Sequence, residues 1–451
     1  MSTNPPALSA DQLPYVESYA AARPGERTIK QLIWAYFWLL IFEGALRKWF
    51  LPFLATPLLI VRDPFALGAM LLYLLNGYRF WNWYTIVFVG STLISLAITL
   101  GYGHGNLFVG IYGFRIYAIH FPLMFIIGDI FDRHDVEQLG RALLWIAIPT
   151  TILVGLQFYS PQSAWVNRGV GGDLEGAGFS GANGFYRPSG LFSFTNGNSL
   201  MFNLAACFVM YFWRRRDRIW TPLLLAATAC ILVMAPLSIS RTYIFQMGIT
   251  FFFLMVASFT DVRSLFGLFG MLLGAPILLL VLTQFGFVGT SLDALLARFS
   301  TASEAEGGFE GTFVDRFLGG FLRPIENLDR LPFWGLGLGM GTNVGSQLLT
   351  GKVSYLIDEG EWGRVLGESG VVLGLLNLFV RVQLGVTLLL RSFTHLFTVN
   401  ALAWILVSFS FINTFNVLAG QPTALGFAVL AVGLTIAALN EPAEADYYHA
   451  G

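Results

Sequence analysis

The 451-residue chain is 55% hydrophobic and 16% aromatic, with 12% charged residues, a formal net charge of -1 and a mean hydropathy of +0.66. A soluble globular domain carries about 25% charged residues, so this composition excludes one and describes a polytopic membrane protein. The two cysteines, Cys207 and Cys230, lie inside apolar runs and read as small core residues without a disulfide or metal role.

Residues 1–30 are polar and of mixed charge, and read as a cytoplasmic tail with no cleavable signal. Apolar runs of membrane-spanning length then follow at 31–50, 57–76, 83–100, 107–128, 139–158, 190–213, 219–237, 242–260, 264–288, 366–390, 397–416 and 422–439. This predicts an all-α membrane protein with about twelve transmembrane helices, nine before residue 289 and three after residue 365, and a short cytoplasmic tail at 441–451. Arg214, Arg215, Arg216 and Arg218, with Arg133, Arg141, Arg263 and Arg391, fall on one side, which the positive-inside rule makes cytoplasmic together with both termini. Arg47-Lys48 and Arg62-Asp63 fall on the other side. Either they pair locally, Glu43 with Arg47 and Asp63 with Arg62, or they line an external vestibule with Arg187.

Two longer segments emerge externally, a medium loop at 159–189, rich in glycine, and a large one at 289–365. The second carries short amphipathic stretches at 292–299 and 313–328. Its run Gly335-Leu336-Gly337-Leu338-Gly339 reads as close backbone approach in a turn, since no strand-helix-strand unit surrounds it.

The stretch from Tyr186 to Asn203 places Arg187 at the water boundary and carries Asn196, Asn198 and Asn203 down into an apolar helix. Polar side chains at lipid depth are costly unless they face a cavity, a partner or a ligand, so this cluster marks a site. Arg241 lies between two apolar runs with only Ser238, Ile239 and Ser240 beside it, and Arg115 sits within another run, where its partner must come from a different helix.

The order Arg187-Pro188-Ser189-Gly190, Asn196, Ser240-Arg241, Arg298 and Arg316, Pro332 with the glycine run, and Glu368-Ser369-Gly370 before a helix resembles the O-antigen ligase and Wzy-type O-antigen polymerase superfamily over residues 140–440. The resemblance implies a C-type (GT-C-like) membrane glycosyltransferase in the bacterial inner membrane, with its site facing the periplasm. It implies an undecaprenyl-pyrophosphate-linked glycan as substrate, no metal or other cofactor, no nucleic acid, and a flippase and chain-length regulator as working partners. A diphosphate head at the membrane surface calls for fixed cations, which Arg187, Arg241, Arg298 and Arg316 supply. Arginine forks onto phosphate and stabilises the charge that develops as the leaving group departs.

One departure from that family concerns the base. Its histidine near the end of the large loop has no counterpart among His104, His120, His134, His395 and His449; the matching position falls at Asp358-Glu359-Gly360-Glu361. A carboxylate can take the same proton. Glu361 shares a helix face with Arg364 and Glu368, and is the leading catalytic candidate, with Glu359 and Glu368 beside it. The same acids also suit a solvated turn at a helix start. Asn196, Asn198, Tyr186, Trp362 and Arg364 are the candidate glycan and acceptor contacts. The expected activity is polymerisation of lipid-linked repeats. A ligase moving finished glycan to lipid A core, protein or another acceptor is the alternative, and a transporter or flippase of an anionic lipid or solute is the reading from another class.

Overall fold

The structure, a computed structural model, describes residues 23–260, 286–306, 319–398 and 401–440, with isolated positions between 270 and 284. In chain order its helices are α1 (Glu26–Ala45), α2 (Asp63–Leu75), α3 (Trp83–Gly101), α4 (Leu107–Arg115), α5 (Phe121–Ile130), α6 (Arg133–Tyr159), α7 (Thr195–Arg214), α8 (Thr221–Leu237), α9 (Arg241–Ser258), α10 (Gly286–Glu306), α11 (Gly319–Glu326), α12 (Asn343–Thr350), α13 (Glu361–Thr398), α14 (Leu402–Asn416) and α15 (Pro422–Leu439). The sheet among the described residues is a hairpin of β1 (Phe179–Ser180) and β2 (Tyr186–Arg187), with Phe179 opposite Arg187.

Among the described residues, eight helical stretches are long and apolar enough to cross a membrane: Glu26–Phe50, Pro57–Leu75, Trp83–Gly101, Leu107–Ile130, Arg133–Tyr159, Arg241–Ser258, Glu361–Phe397 and Pro422–Leu439. α8 and α14 are apolar but shorter, and α7 has 20 residues with a polar first turn. The chain is therefore an all-α, membrane-embedded protein. The expected span at 264–288 lies largely outside the described residues. The expected span at 190–213 starts later, at Thr195. Gly190 adopts φ +59° and Phe194 is extended, so the apolar residues between them form an irregular turn.

α15 is apolar all round and buried almost throughout, as a central helix must be. It packs on α5, α14 and α7. Gly128 on α5 and Gly433 on α15 each face a partner isoleucine, Ile436 and Ile127, closely enough that an added Cβ would collide, which lets the two backbones approach. π-turns interrupt two spans: Leu46–Phe50 extends α1, and Ile116–His120 joins α4 to α5. Each lies at a cluster of buried charge, Arg47 and Lys48 in the first and His120 beside Arg115 in the second.

α13 is not one straight rod. Gly370 has φ +76° and ψ 174°, a conformation open only to glycine. Glu361 and Arg381 would stand about 30 Å apart on a straight helix. Their ion pair closes at 2.7 Å, so the chain doubles back at Gly370 into a short helix before it and a long one after it. The broken helix ladder is spliced by the glycine turn. Leu336 N–H donates to Gly367 O at 2.7 Å, Gly337 N–H to Glu368 O at 3.1 Å, and Val371 N–H to Phe333 O at 3.2 Å. Gly335, Gly337 and Gly339 all have positive φ there and lie against the backbone or side chains of Glu368, His104 and Val109, the close approach that their spacing predicts.

Candidate functional site

The segment after β2 is pinned from below by the end of α1. Lys48 Nζ donates to Ser189 Oγ at 3.0 Å and to Gly190 O at 2.7 Å, and Arg47 Nη1 donates to Ser193 Oγ at 2.9 Å. Gly44 makes this docking close, because a Cβ there would lie 2.5 Å from Leu191 O and Ser193 N. Arg187, on β2, is half-buried with its guanidinium 5.9 Å from the centre of the Phe179 ring. Arg298, on α10, donates to Gly181 O inside the same hairpin at 3.4 Å. Ile239 touches that glycine, and two residues later Arg241 opens α9, capped by Ser240. Ile239 carries φ +45°, a strained value for a β-branched residue, so the turn that delivers Arg241 is held in place by its surroundings. Two of the four expected phosphate ligands, Arg187 and Arg298, thus meet at one hairpin, and the turn that precedes a third, Arg241, packs against it. The fourth, Arg316, lies outside the described residues. Tyr186 sits exposed on the same strand.

The first turns of α7 continue this surface inward. Asn196 Nδ2 donates to Gln421 Oε1, and Ser199 Oγ donates to Ser240 Oγ at 3.2 Å. Asn198 is buried beside Gly190, and neither of its amide atoms has a hydrogen-bond partner among the described residues; Thr195 Oγ1 and Asn203 Oδ1 share that condition. Buried polar atoms in this state are uncommon in folded proteins.

The acidic turn divides into two environments. Glu361 is buried, and its carboxylate accepts from four donors: Arg364 Nη2 at 2.8 Å, Arg364 Nε at 3.0 Å, Arg381 Nη1 at 2.7 Å and Ala419 N–H at 3.0 Å. Four donors fill the lone-pair positions of a carboxylate, leaving none for a substrate hydroxyl. Glu368 is likewise buried, accepting from Arg364 Nη1 at 2.7 Å and Gly341 N–H at 2.9 Å. The shared helix face of Glu361, Arg364 and Glu368 therefore builds an ion-pair scaffold, which Arg381 and Tyr117 complete. Glu359 is different. It is exposed, at a shallow depression lined also by Tyr355, Asp358, Asn343 and Gln421 and by the buried Glu361 and Arg364. Burial, with the nearby Glu359 carboxylate, holds the Tyr355 phenol above its ordinary value. Asp358 accepts from Gly360 N–H at 2.8 Å and turns the chain into α13. Trp362 donates to Phe415 O at 3.0 Å and stacks edge-on with Phe321, a packing role.

A further charged centre lies within the spans. Arg47 pairs with Glu43 at 3.4 Å, one of the two local pairs that the spacing suggests. The other does not form: Arg62 pairs with Glu43 at 3.3 Å, and Asp63 takes Arg115 at 2.8 Å and His120 at 2.9 Å. Arg115 thus finds its partner on α2. Sequence reasoning missed Arg381, Tyr117, Gln421 and the Glu43–Arg62 pair; for Arg381 the signal was present, a lone charge inside an apolar run.

Among the described residues no group of three or more His, Cys, Asp or Glu side chains is placed to hold a metal ion. No protein-family model and no curated protein matches the chain, so its functional reading rests on the site itself.

Proposed function

We propose that the protein is a membrane glycosyltransferase that polymerises glycan repeats carried on undecaprenyl pyrophosphate. The carrying observation is the meeting of Arg187 and Arg298 at one hairpin, against which the turn before Arg241 packs, together with the Asn196–Gln421 contact to the depression that Glu359 borders. In this reading the arginines hold the diphosphate of the growing chain. A hydroxyl of the incoming repeat attacks the anomeric carbon as the bond from that carbon to the diphosphate oxygen breaks. The electron pair leaves with the diphosphate, whose charge the guanidinium groups stabilise, and the hydroxyl proton passes to Glu359. Glu361 and Glu368 act as positioning residues that set α13 and the glycine turn beneath the acceptor. The site would face the periplasm, with both termini and the arginine-rich loops in the cytoplasm, and a flippase and chain-length regulator would work beside it.

The test uses purified protein in liposomes with lipid-linked repeats and no ion gradient. A ladder of lengthened glycan supports the proposal, and Arg187→Lys should remove most of it, because a point charge cannot replace the guanidinium fork. Transfer only to an added lipid A core or protein acceptor would make the enzyme a ligase. Near-normal ladders from Arg187→Lys and Arg241→Ala at normal protein levels would refute the clamp.

A further inference from the structure

Every arginine that is buried among the described residues pairs with a carboxylate. Arg47 and Arg62 share Glu43, Arg115 has Asp63, Arg133 has Glu137, and Arg364 and Arg381 share Glu361. Lys48, the buried lysine among them, makes no such pair. It is fully buried, and its Nζ meets neutral groups: Ser189 Oγ at 3.0 Å, Gly190 O at 2.7 Å and the Trp49 ring, whose centre lies 4.3 Å away. An ammonium ion taken out of water with no carboxylate beside it is costly, and the cost falls when a negative charge is brought near.

The oxygens that Lys48 holds belong to the run Arg187-Pro188-Ser189-Gly190, so the ammonium grips the chain two and three residues after Arg187. Uncharged contacts already fix the same segment. Gly190 N–H donates to Gln157 Oε1 at 2.8 Å, and Gln157 Nε2 donates to Gly190 O at 3.2 Å. Just beyond, Arg47, whose charge Glu43 balances, donates to Ser193 Oγ. The shape of the segment therefore has other supports, and the charge of Lys48 is the part that the fold itself leaves unused. A chain that supplies a carboxylate to each buried arginine leaves this one cation beneath the residues that carry Arg187. Its attraction for a ligand seated there grows with the negative charge of the ligand.

We propose that the counter-charge of Lys48 is the anion bound at Arg187, and that Lys48 is a positioning residue through which this site favours a lipid diphosphate over a lipid monophosphate. The inference rests on Arg187 as an anion ligand and not on the transfer reaction. Lys48 does not touch the ligand; it acts through the 187–190 segment and through its charge. Lys48→Met removes the charge at similar side-chain bulk. Lys48→Gln removes it but keeps an N–H donor for Ser189 and Gly190.

The experiment measures the affinity of undecaprenyl diphosphate, undecaprenyl phosphate and undecaprenol for the full-length protein in nanodiscs with no acceptor present, and reads the ratio of diphosphate to monophosphate affinity. The parent should favour the diphosphate by about tenfold or more, the size of one charge-assisted hydrogen bond. In both Lys48→Met and Lys48→Gln most of that ratio should be lost, while undecaprenol binds as it does to the parent. A ratio unchanged in both variants would overturn the proposal, even with all three lipids bound more weakly, since that is the pattern of a segment that has only loosened. A parent that does not favour the diphosphate would overturn it together with the reading of Arg187 as an anion ligand. The first of these failures leaves Arg187 in place and the second does not, so the two are told apart.

Discussion

Glu361 and Glu359 stand two residues apart and differ in almost everything that decides a carboxylate's use. Both border the depression, but Glu361 is buried with its oxygens taken by Arg364, Arg381 and the Ala419 N–H, whereas Glu359 is exposed. Arg381→Leu should destabilise the protein by about 3–5 kcal/mol, because it leaves a buried carboxylate short of a partner. The check is the thermal midpoint in detergent, which should fall together with expression level. Glu359→Gln should leave that midpoint unchanged and lower glycan polymerisation about a hundredfold, the size of a general-base contribution. Equal activity in Glu359→Gln and the parent would instead make the acidic turn a helix start and nothing more. The helix face shared by Glu361, Arg364 and Glu368 was legible from spacing. Its meaning was not, because Arg381 reaches it only through the fold-back at Gly370.

At the scale of elements, the apolar runs were legible because lipid demands length and apolarity of any spanning helix. Where a run starts was less so. Leu191, Phe192 and Phe194 read as helix, yet they belong to a turn whose shape is set by contacts from Gly44, Arg47 and Lys48, about 145 residues earlier in the chain. The Glu368-Ser369-Gly370 triplet before a helix was visible, but not the reversal that it makes. Gly370→Ala should cost about 1–3 kcal/mol from backbone strain alone, with more from the Cβ, which would lie 2.3 Å from Phe333 O. Limited proteolysis should then cut within residues 333–341, which the parent protects. Equal protection in both proteins would count against the splice.

Across the whole molecule, charge separates the two faces. Arg133, Arg141 and the run from Arg214 to Arg218 gather at one end, where Arg141 Nη1 donates to Arg218 O at 2.9 Å and Arg214 to Ala257 O at 3.1 Å. The hairpin, the depression and the glycine turn occupy the other. Lys352→Cys and Arg218→Cys should therefore react with a membrane-impermeant thiol reagent from opposite sides of intact spheroplasts, Lys352→Cys from outside. Cys207 is buried and Cys230 is partly buried, so labelling of each variant is read against the parent protein. Labelling of both positions from one side would invert the assignment of the faces. That Arg133, Arg141 and Arg214 to Arg218 share one end was readable from the short loops, whereas the central place of α15 and α7 was not, since an all-round apolar helix names no neighbour.

The short helix ahead of Gly370 also sets an order on how the chain can be made. It carries Glu361, Arg364 and Glu368, too much charge to enter lipid alone. Its compensating groups emerge from the ribosome later: Arg381 after 20 residues and the Ala419 N–H after 58. Until α14 has been threaded, this segment has to wait at the water boundary, while the glycine turn already made holds a place for it. The depression beside Glu359 is bordered by Leu418, Gly420 and Gln421, so it comes into being only as the last spanning helix arrives. A nascent chain that ends before Leu418 carries the arginine hairpin but lacks that border of the depression.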